Sequence, residues 1–173
     1  MKRLSQADVR LLGAMLVFFV AYFVVATIGI RFGQSDGLMS FIWPPTAIAL
    51  AALFLYGSEL WPAIALGAFL ANFLAGASVP SSIVVAGANT IQAMIGALVL
   101  RYFLYNPLLS RLRDSLIIIV GSFTISIVAP TIRVLGLSAI GELHNSATLM
   151  WLLWWETTSL GMVTVAPFLI LWL

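Results

Sequence analysis

Six long apolar runs occupy most of this 173-residue chain, and the breaks between them are short. A helix needs about 20 mainly apolar residues to cross the hydrocarbon core of a membrane. The runs cover residues 11–30, 38–56, 60–77, 83–100, 116–140 and 147–173. They predict an all-α, polytopic membrane protein with about six transmembrane helices, forming a single integral-membrane domain over residues 1–173. The first run is longer than the apolar core of a signal peptide and lacks a small-residue cleavage site, so it is predicted to be the first span.

The composition excludes a water-soluble domain and several kinds of site. Hydrophobic residues make up 62% of the chain, compared with roughly 45–50% in soluble domains, and an excess of this size needs lipid around it. The few basic residues do not cluster as they do in a nucleic-acid site. With no cysteine and a single histidine, we expect neither thiolate nor histidine-rich metal ligands. The expected partners therefore include the lipid bilayer, but no nucleic acid, no metal and no cofactor.

Two tryptophan–proline motifs mark the second and third runs. Trp43 precedes Pro44 and Pro45, a second Trp-Pro pair stands at residues 61–62, and residues 57–59 form the short break between the runs. Proline suits the first turn of a helix, where its missing N–H group would have no partner anyway. The pattern predicts a helical hairpin with a tight turn.

Polar side chains within the apolar runs are costly and need a reason. Counting about 1.5 Å per residue from the helix ends places the unusual ones in the outer half of the bilayer. We expect them to line a polar cavity that is open to the outside. The predicted ligand-binding set consists of Trp43, Pro44, Pro45, Asn72, Asn89, Gln92, Arg133 and Glu156.

These polar residues also allow structural interpretations. Arg133 and Glu156 are expected to form an ion pair in the cavity, although Arg133 alone would also suit a helix end from which it extends to the interface. Asn72, Asn89 and Gln92 would equally suit hydrogen bonds between helices. The spacing of Asn89 and Gln92 places them on one helical face.

The distribution of basic residues predicts the orientation, because Lys and Arg in short loops favour the cytoplasmic side. If the N-terminus lies inside the cell, Arg31 lies on the outer side, and Arg133 lies there too if it stands at the end of its helix. It places six basic residues inside: Lys2, Arg3, Arg10, Arg101, Arg111 and Arg113. Both termini are therefore expected to be cytoplasmic.

A catalytic function has little support. Ser138 and His144 are a weak match to the nucleophile and base of an intramembrane hydrolase, and nothing in the sequence orients the histidine. No catalytic residue is predicted. A second alternative is the small substrate-binding membrane subunit of a transporter, which also has about six helices.

The order of several short motifs resembles the integral-membrane sensor domain called membrane-associated sensor domain one. The resemblance covers most of the chain from about residue 41 onward. It rests on the order and spacing of the motifs at residues 43–46, 61–62, 66–68, 72, 87–90, 100–101, 111–114, 154–155, 161 and 166–167.

The resemblance implies a sensory module in the bacterial inner membrane that perceives a small ligand or a membrane partner protein. It also implies a cytoplasmic output domain after it, of the histidine kinase or diguanylate cyclase type, in two-component or cyclic-di-GMP signalling. A homodimer is a further expected assembly. Members of the family usually have about eight spans, so the chain is expected to be a fragment or a short stand-alone form. An acid that is common in the family is replaced by Thr158 here, and the acid stands instead at Glu156.

Overall fold

The computed structural model describes residues 5–35, 42–103 and 112–172, and all regular secondary structure in these ranges is helical. The prediction of an all-α membrane fold is confirmed. The helices are α1 (Gln6–Ser35), α2 (Pro44–Tyr56), α3 (Trp61–Leu74), α4 (Val79–Phe103), α5 (Leu112–Ile125), α6 (Val128–Ala139) and α7 (Ala147–Trp172).

Three helical segments are long and apolar enough to cross a membrane: Gln6–Phe32, Val79–Phe103 and Leu112–Ala139. The last of these comprises α5 and α6, which are separated by a break at residues 126–127. The predicted fifth span is thus one crossing made of two helices. Helix α7 has 26 residues and reaches a similar length of about 39 Å.

Helices α2 and α3 are much shorter than the predicted second and third spans. They have 13 and 14 residues and are about 20 Å long, which is less than the roughly 30 Å of a hydrocarbon core. Helix α2 begins only at Pro44, because a residue before proline avoids the helical conformation and Trp43 has φ −112° and ψ 81°. Residues 38–41 of the predicted second span lie outside the described residues.

The start of α2 lies within the bundle rather than at its surface. The backbone N–H of Trp43 donates a hydrogen bond of 3.0 Å to the carbonyl oxygen of Thr157. Thr157 stands ten residues after the start of α7, which is about 15 Å along that helix. Helix α2 therefore begins at about half the depth of the bundle.

The predicted tight turn between α2 and α3 is present, but the two helices pack mainly against others: α2 against α7 and α4, and α3 against α1 and α4. Gly57 turns the chain with φ 114°, a 3-10 turn (Ser58–Leu60) follows, and α3 starts at Trp61 with Pro62 in its first turn. Arg101 of α4 stabilises the end of α2. Its Nε donates a hydrogen bond of 3.2 Å to the carbonyl oxygen of Phe54, and so it pairs a carbonyl group that a helix end leaves free.

A stripe of small residues on α3 allows this helix to pack close to α1. Ala63, Gly67 and Ala71 are buried, while Ala75 is exposed just beyond the helix end. A β carbon added to Gly67 would lie 3.4 Å from the carbonyl oxygen of Phe19 in α1. Close packing of backbones across small residues is the usual association mode in lipid.

The start of α1 and the end of α7 lie at the same end of the bundle. Helix α1 runs parallel to α3, and α3, α4, the α5–α6 segment and α7 then alternate in direction. The antiparallel packing of α7 against α5 and α6 is shown by two tryptophan bonds. Trp151 Nε1 donates to Thr131 Oγ1 at 3.0 Å, and Trp155 Nε1 donates to the carbonyl oxygen of Phe123 at 2.9 Å. We call the end of the bundle that holds the start of α1 and the end of α7 the terminal end, and we call the opposite end the loop end.

Candidate functional site

A chain of buried polar groups joins α1, α4 and α6. Asn89 Nδ2 donates a hydrogen bond of 3.0 Å to the hydroxyl oxygen of Tyr22. Arg133 Nη2 donates in turn to Asn89 Oδ1. Their exposed fractions are only 1% for Tyr22, 6% for Asn89 and 7% for Arg133. Asn89 thus stands between a phenol on one side and a guanidinium on the other.

Helix α7 contacts these buried polar groups through Trp154. The Cζ atom of Arg133 lies 5.5 Å from the centroid of the Trp154 ring, within the range of a cation–π interaction. Tyr22, Asn89, Arg133 and Trp154, called here the Asn89–Arg133 network, connect four helices of the bundle. The network lies within the bundle, because Arg133 is six residues and Trp154 seven residues from the loop ends of their helices.

The charge of Arg133 is incompletely matched by its surroundings. Its Nε is buried and has no hydrogen-bond partner. Among the described residues, no carboxylate forms an ion pair with it. A guanidinium away from water normally needs hydrogen bonds and a counter-charge. The network therefore has a positive charge and one open donor at membrane depth.

Gln92 has a structural contact one turn further along α4. Its Oε1 accepts a hydrogen bond of 2.9 Å from the backbone N–H of Ala129, a group that the break between α5 and α6 leaves without a helical partner. Ser126 in the break donates to the sulfur of Met162 at 3.3 Å. Gln92 therefore caps the start of α6 within the bundle.

The Trp43-Pro44-Pro45 motif packs between α1 and α7. A β carbon added to Gly29 would lie 2.9 Å from the Trp43 ring, and one added to Gly161 would lie 2.7 Å from its carbonyl carbon. The Nε1 atom of Trp43 is buried without a hydrogen-bond partner. At this motif, the backbone at the start of α2 therefore packs directly against α7.

Of the eight predicted residues, the network contains only Asn89 and Arg133. Glu156 is exposed, and the predicted Arg133–Glu156 ion pair is wrong. Residues two apart on a helix point about 200° apart, so Glu156 and Trp154 face opposite sides of α7. Asn72 Nδ2 donates to the carbonyl oxygen of Ala68 in its own helix at 2.8 Å and joins no other helix through that bond.

The residues of the hydrolase hypothesis do not form a buried site. Ser138 is exposed near the end of α6, and His144 is exposed in the loop that follows. No hydrogen bond joins these two described residues.

A second polar contact, at the loop end, was not expected from the sequence. The carboxylate of Glu142, between α6 and α7, accepts a hydrogen bond from the Ser81 hydroxyl and another from the Ser78 hydroxyl, whose single proton is shared by the two carboxylate oxygens at 2.7 and 2.8 Å. These bonds, with smaller help from the charge of His144, hold the pKa of the Glu142 carboxyl below its ordinary value. The sequence signal for this contact was Ser78, because serine is a preferred residue at the start of a helix. Its hydroxyl accepts a hydrogen bond of 3.1 Å from the backbone N–H of Ser81 at the start of α4.

Comparison with known proteins agrees with this architecture. The model of the MASE1 family matches residues 14–173. The chain belongs to the MASE1 family. MASE1 is a non-catalytic membrane sensor domain, so the chain is a multi-pass membrane sensor module of the type found ahead of diguanylate cyclase output domains. The resemblance stated from the sequence is confirmed.

One relative of this MASE1 chain is the probable diguanylate cyclase DgcE of Escherichia coli (strain K12). The two are 28% identical over 151 residues, which is 84% of this chain and 13% of DgcE. The chain thus spans about an eighth of the length of that relative. No solved structure matches the chain.

Proposed function

We propose that the Asn89–Arg133 network is the input site of this sensor module. The observation that supports this is Arg133, a buried guanidinium with an unpaired Nε and no ion pair among the described residues. An ionisable side chain at membrane depth marks a functional site more often than a structural one. The ligand or membrane partner would bring negative charge or hydrogen-bond acceptors to Arg133.

The signal would leave as a change of conformation, since no enzymatic activity is proposed for the module. The network joins α1, α4, α6 and α7, and α7 runs from the network to the terminal end. A ligand shifts these helices only if it binds one arrangement better than another. The proposed receiver is a cytoplasmic output domain of the diguanylate cyclase or histidine kinase type, in keeping with the relative DgcE.

The terminal end is proposed to face the cytoplasm of a bacterial cell, because six of the basic residues lie on this side by the sequence count. The chain has no cysteine, so single cysteines report the orientation without background. Cysteine at Ser58, beside the hairpin turn, should be protected from an impermeant thiol reagent in intact cells, whereas cysteine at Asn145 should be labelled. The opposite pattern would overturn the orientation.

The input site can be tested in a chimera that joins this chain to a diguanylate cyclase domain. Asn89→Ala and Arg133→Gln should each hold cellular cyclic-di-GMP at one level, several-fold from the parent chimera, with normal membrane insertion. The matched control is Asn72→Ala, which removes an amide of the same kind outside the network. If both network variants keep the output of the parent, the network is only a packing element.

A further inference from the structure

A groove of about 570 Å³ lies between α4 and α5, and none of the residues that line it belongs to the Asn89–Arg133 network. Its walls are apolar side chains of the two helices, including Ile95 and Val99 of α4 and Ile117 and Val120 of α5. Ile95 and Val120 are exposed, so the groove opens toward the lipid.

The polar atoms of the groove lie mainly at one end. Thr124 is the hydroxyl residue along its length, and its Oγ1 donates to the carbonyl oxygen of Val120 at 2.8 Å, which leaves the wall apolar. Arg113 lines the groove at the terminal end and is exposed. Its guanidinium has no hydrogen bond or ion pair with the described residues. One end of the groove thus offers a positive charge that has no partner among the described residues, and the rest offers hydrocarbon.

The length of the groove corresponds to one lipid. From Arg113 to Val128 there are fifteen residues of one helical segment, which is about 22 Å. One leaflet with its headgroups is about 20–22 Å thick, half of the roughly 40–45 Å of a whole bilayer. A helix is about 10 Å wide with its side chains. A helix as long as the groove would therefore have a larger volume than the groove, and it would lie across the mouth instead of filling it.

We propose that this groove binds one acyl chain of an anionic phospholipid, with the phosphate of the headgroup at Arg113. Basic positions between helices on the cytoplasmic side of membrane proteins commonly receive anionic headgroups. The far end of the groove is lined by Ile125 and Val128, which flank the break between α5 and α6. The bound chain therefore touches the break that Gln92 caps, and this lipid site contacts a bent element of the sensor.

The test uses native mass spectrometry and thermal unfolding of the purified chain, with phosphatidylglycerol or phosphatidylcholine added to delipidated samples. The parent should retain several-fold more phosphatidylglycerol and should gain more thermal stability from it. Arg113→Gln should remove this preference while a neutral lipid still binds. Arg10→Gln is the control, because it removes an exposed arginine from α1 without touching the groove.

The second variant fills the groove. A β carbon added to Gly121 meets only the Cδ1 atom of Ile125, at 3.7 Å, so Gly121→Leu should fold and should lose retention of both lipids. Gly87→Leu is its control, since a β carbon at Gly87 has no neighbour within 4 Å.

Three results would overturn the proposal: equal retention of the two lipids by the parent, loss of the preference in Arg10→Gln as well, or unchanged retention in Gly121→Leu. A dimer mass that disappears in Gly121→Leu would show that a second copy, and not a lipid, occupies the groove. None of these results depends on the function of the Asn89–Arg133 network, so the two proposals fail separately.

Discussion

The backbone of Trp43 lies directly against Gly161. A β carbon on Gly161 would be 2.7 Å from the carbonyl carbon of Trp43 and 3.1 Å from its nitrogen. One turn earlier in α7, Thr157 accepts the hydrogen bond of 3.0 Å from the Trp43 N–H. The start of α2 and the middle of α7 are therefore held together by backbone contacts, which a rotation of side chains cannot relieve.

Gly161→Ala should destabilise the protein by about 1–3 kcal/mol or more, because overpacking here must displace backbone atoms. This reverses the intrinsic preference of a helix, in which alanine is favoured over glycine by about 0.5–1 kcal/mol. Thermal unfolding in detergent measures the effect. Gly87→Ala, at a helical glycine with open space around it, should be neutral or slightly stabilising. Equal behaviour of the two variants would contradict the Trp43–Gly161 contact.

The features that follow from local periodicity could be predicted from the sequence. The apolar runs indicate the helices, the Trp-Pro pairs indicate where α2 and α3 begin, and the spacing of Asn89 and Gln92 indicates that both lie on one helical face. Both side chains are buried. Such features depend on residues within a few positions of one another, so a single chain is enough to reveal them.

The features that depend on tertiary packing could not be predicted. The ion pair of Arg133 and Glu156 was expected because these two charged residues lie at similar depth in their helices. In the structure, α7 is rotated so that Glu156 points outward and Trp154 faces Arg133. The length of α2 depends on how deep in the bundle Trp43 lies. The hydrogen bond between the Trp43 N–H and the carbonyl oxygen of Thr157 fixes that depth. Depth along a helix can be counted from a sequence, whereas rotation about its axis needs the neighbouring helices.

Double-mutant cycles should distinguish the two interpretations of Arg133. Arg133→Gln and Asn89→Ala should be coupled by about 0.5–3 kcal/mol, because the residues share a buried hydrogen bond. Arg133→Gln and Glu156→Gln should be additive within about 0.5 kcal/mol, because they share no contact. The free energy of unfolding in detergent is the measurement. A stronger coupling of Arg133 to Glu156 than to Asn89 would restore the ion pair.

Gln92→Met should loosen the start of α6. The substitution keeps the length of the side chain but removes the acceptor of the Ala129 N–H, and a buried donor without a partner costs about 1–3 kcal/mol. Hydrogen-exchange mass spectrometry should show faster exchange in the peptide that spans residues 126–129. Ile91→Met, at an exposed neighbour on α4, is the control. Unchanged exchange at the break would mean that Gln92 does not cap α6.

The contact of Glu142 with Ser78 and Ser81 should make stability depend on pH in the acidic range. The hydroxyl of Ser81, then that of Ser78, lower the pKa of the folded-state carboxyl below its ordinary value of 4.5. A depressed folded pKa stabilises the protein above the unfolded pKa, and this contribution is lost as the pH falls through the folded pKa.

The difference in melting temperature between the parent and Glu142→Gln should therefore be largest near neutral pH and should shrink toward about pH 3. Comparing the two proteins at each pH cancels the titration of the other carboxylates. Ser81→Ala should reduce the difference, because it removes the donor that lowers this pKa most. A difference that stays constant across the range would mean that the Glu142 carboxylate is not stabilised by the serines at the start of α4.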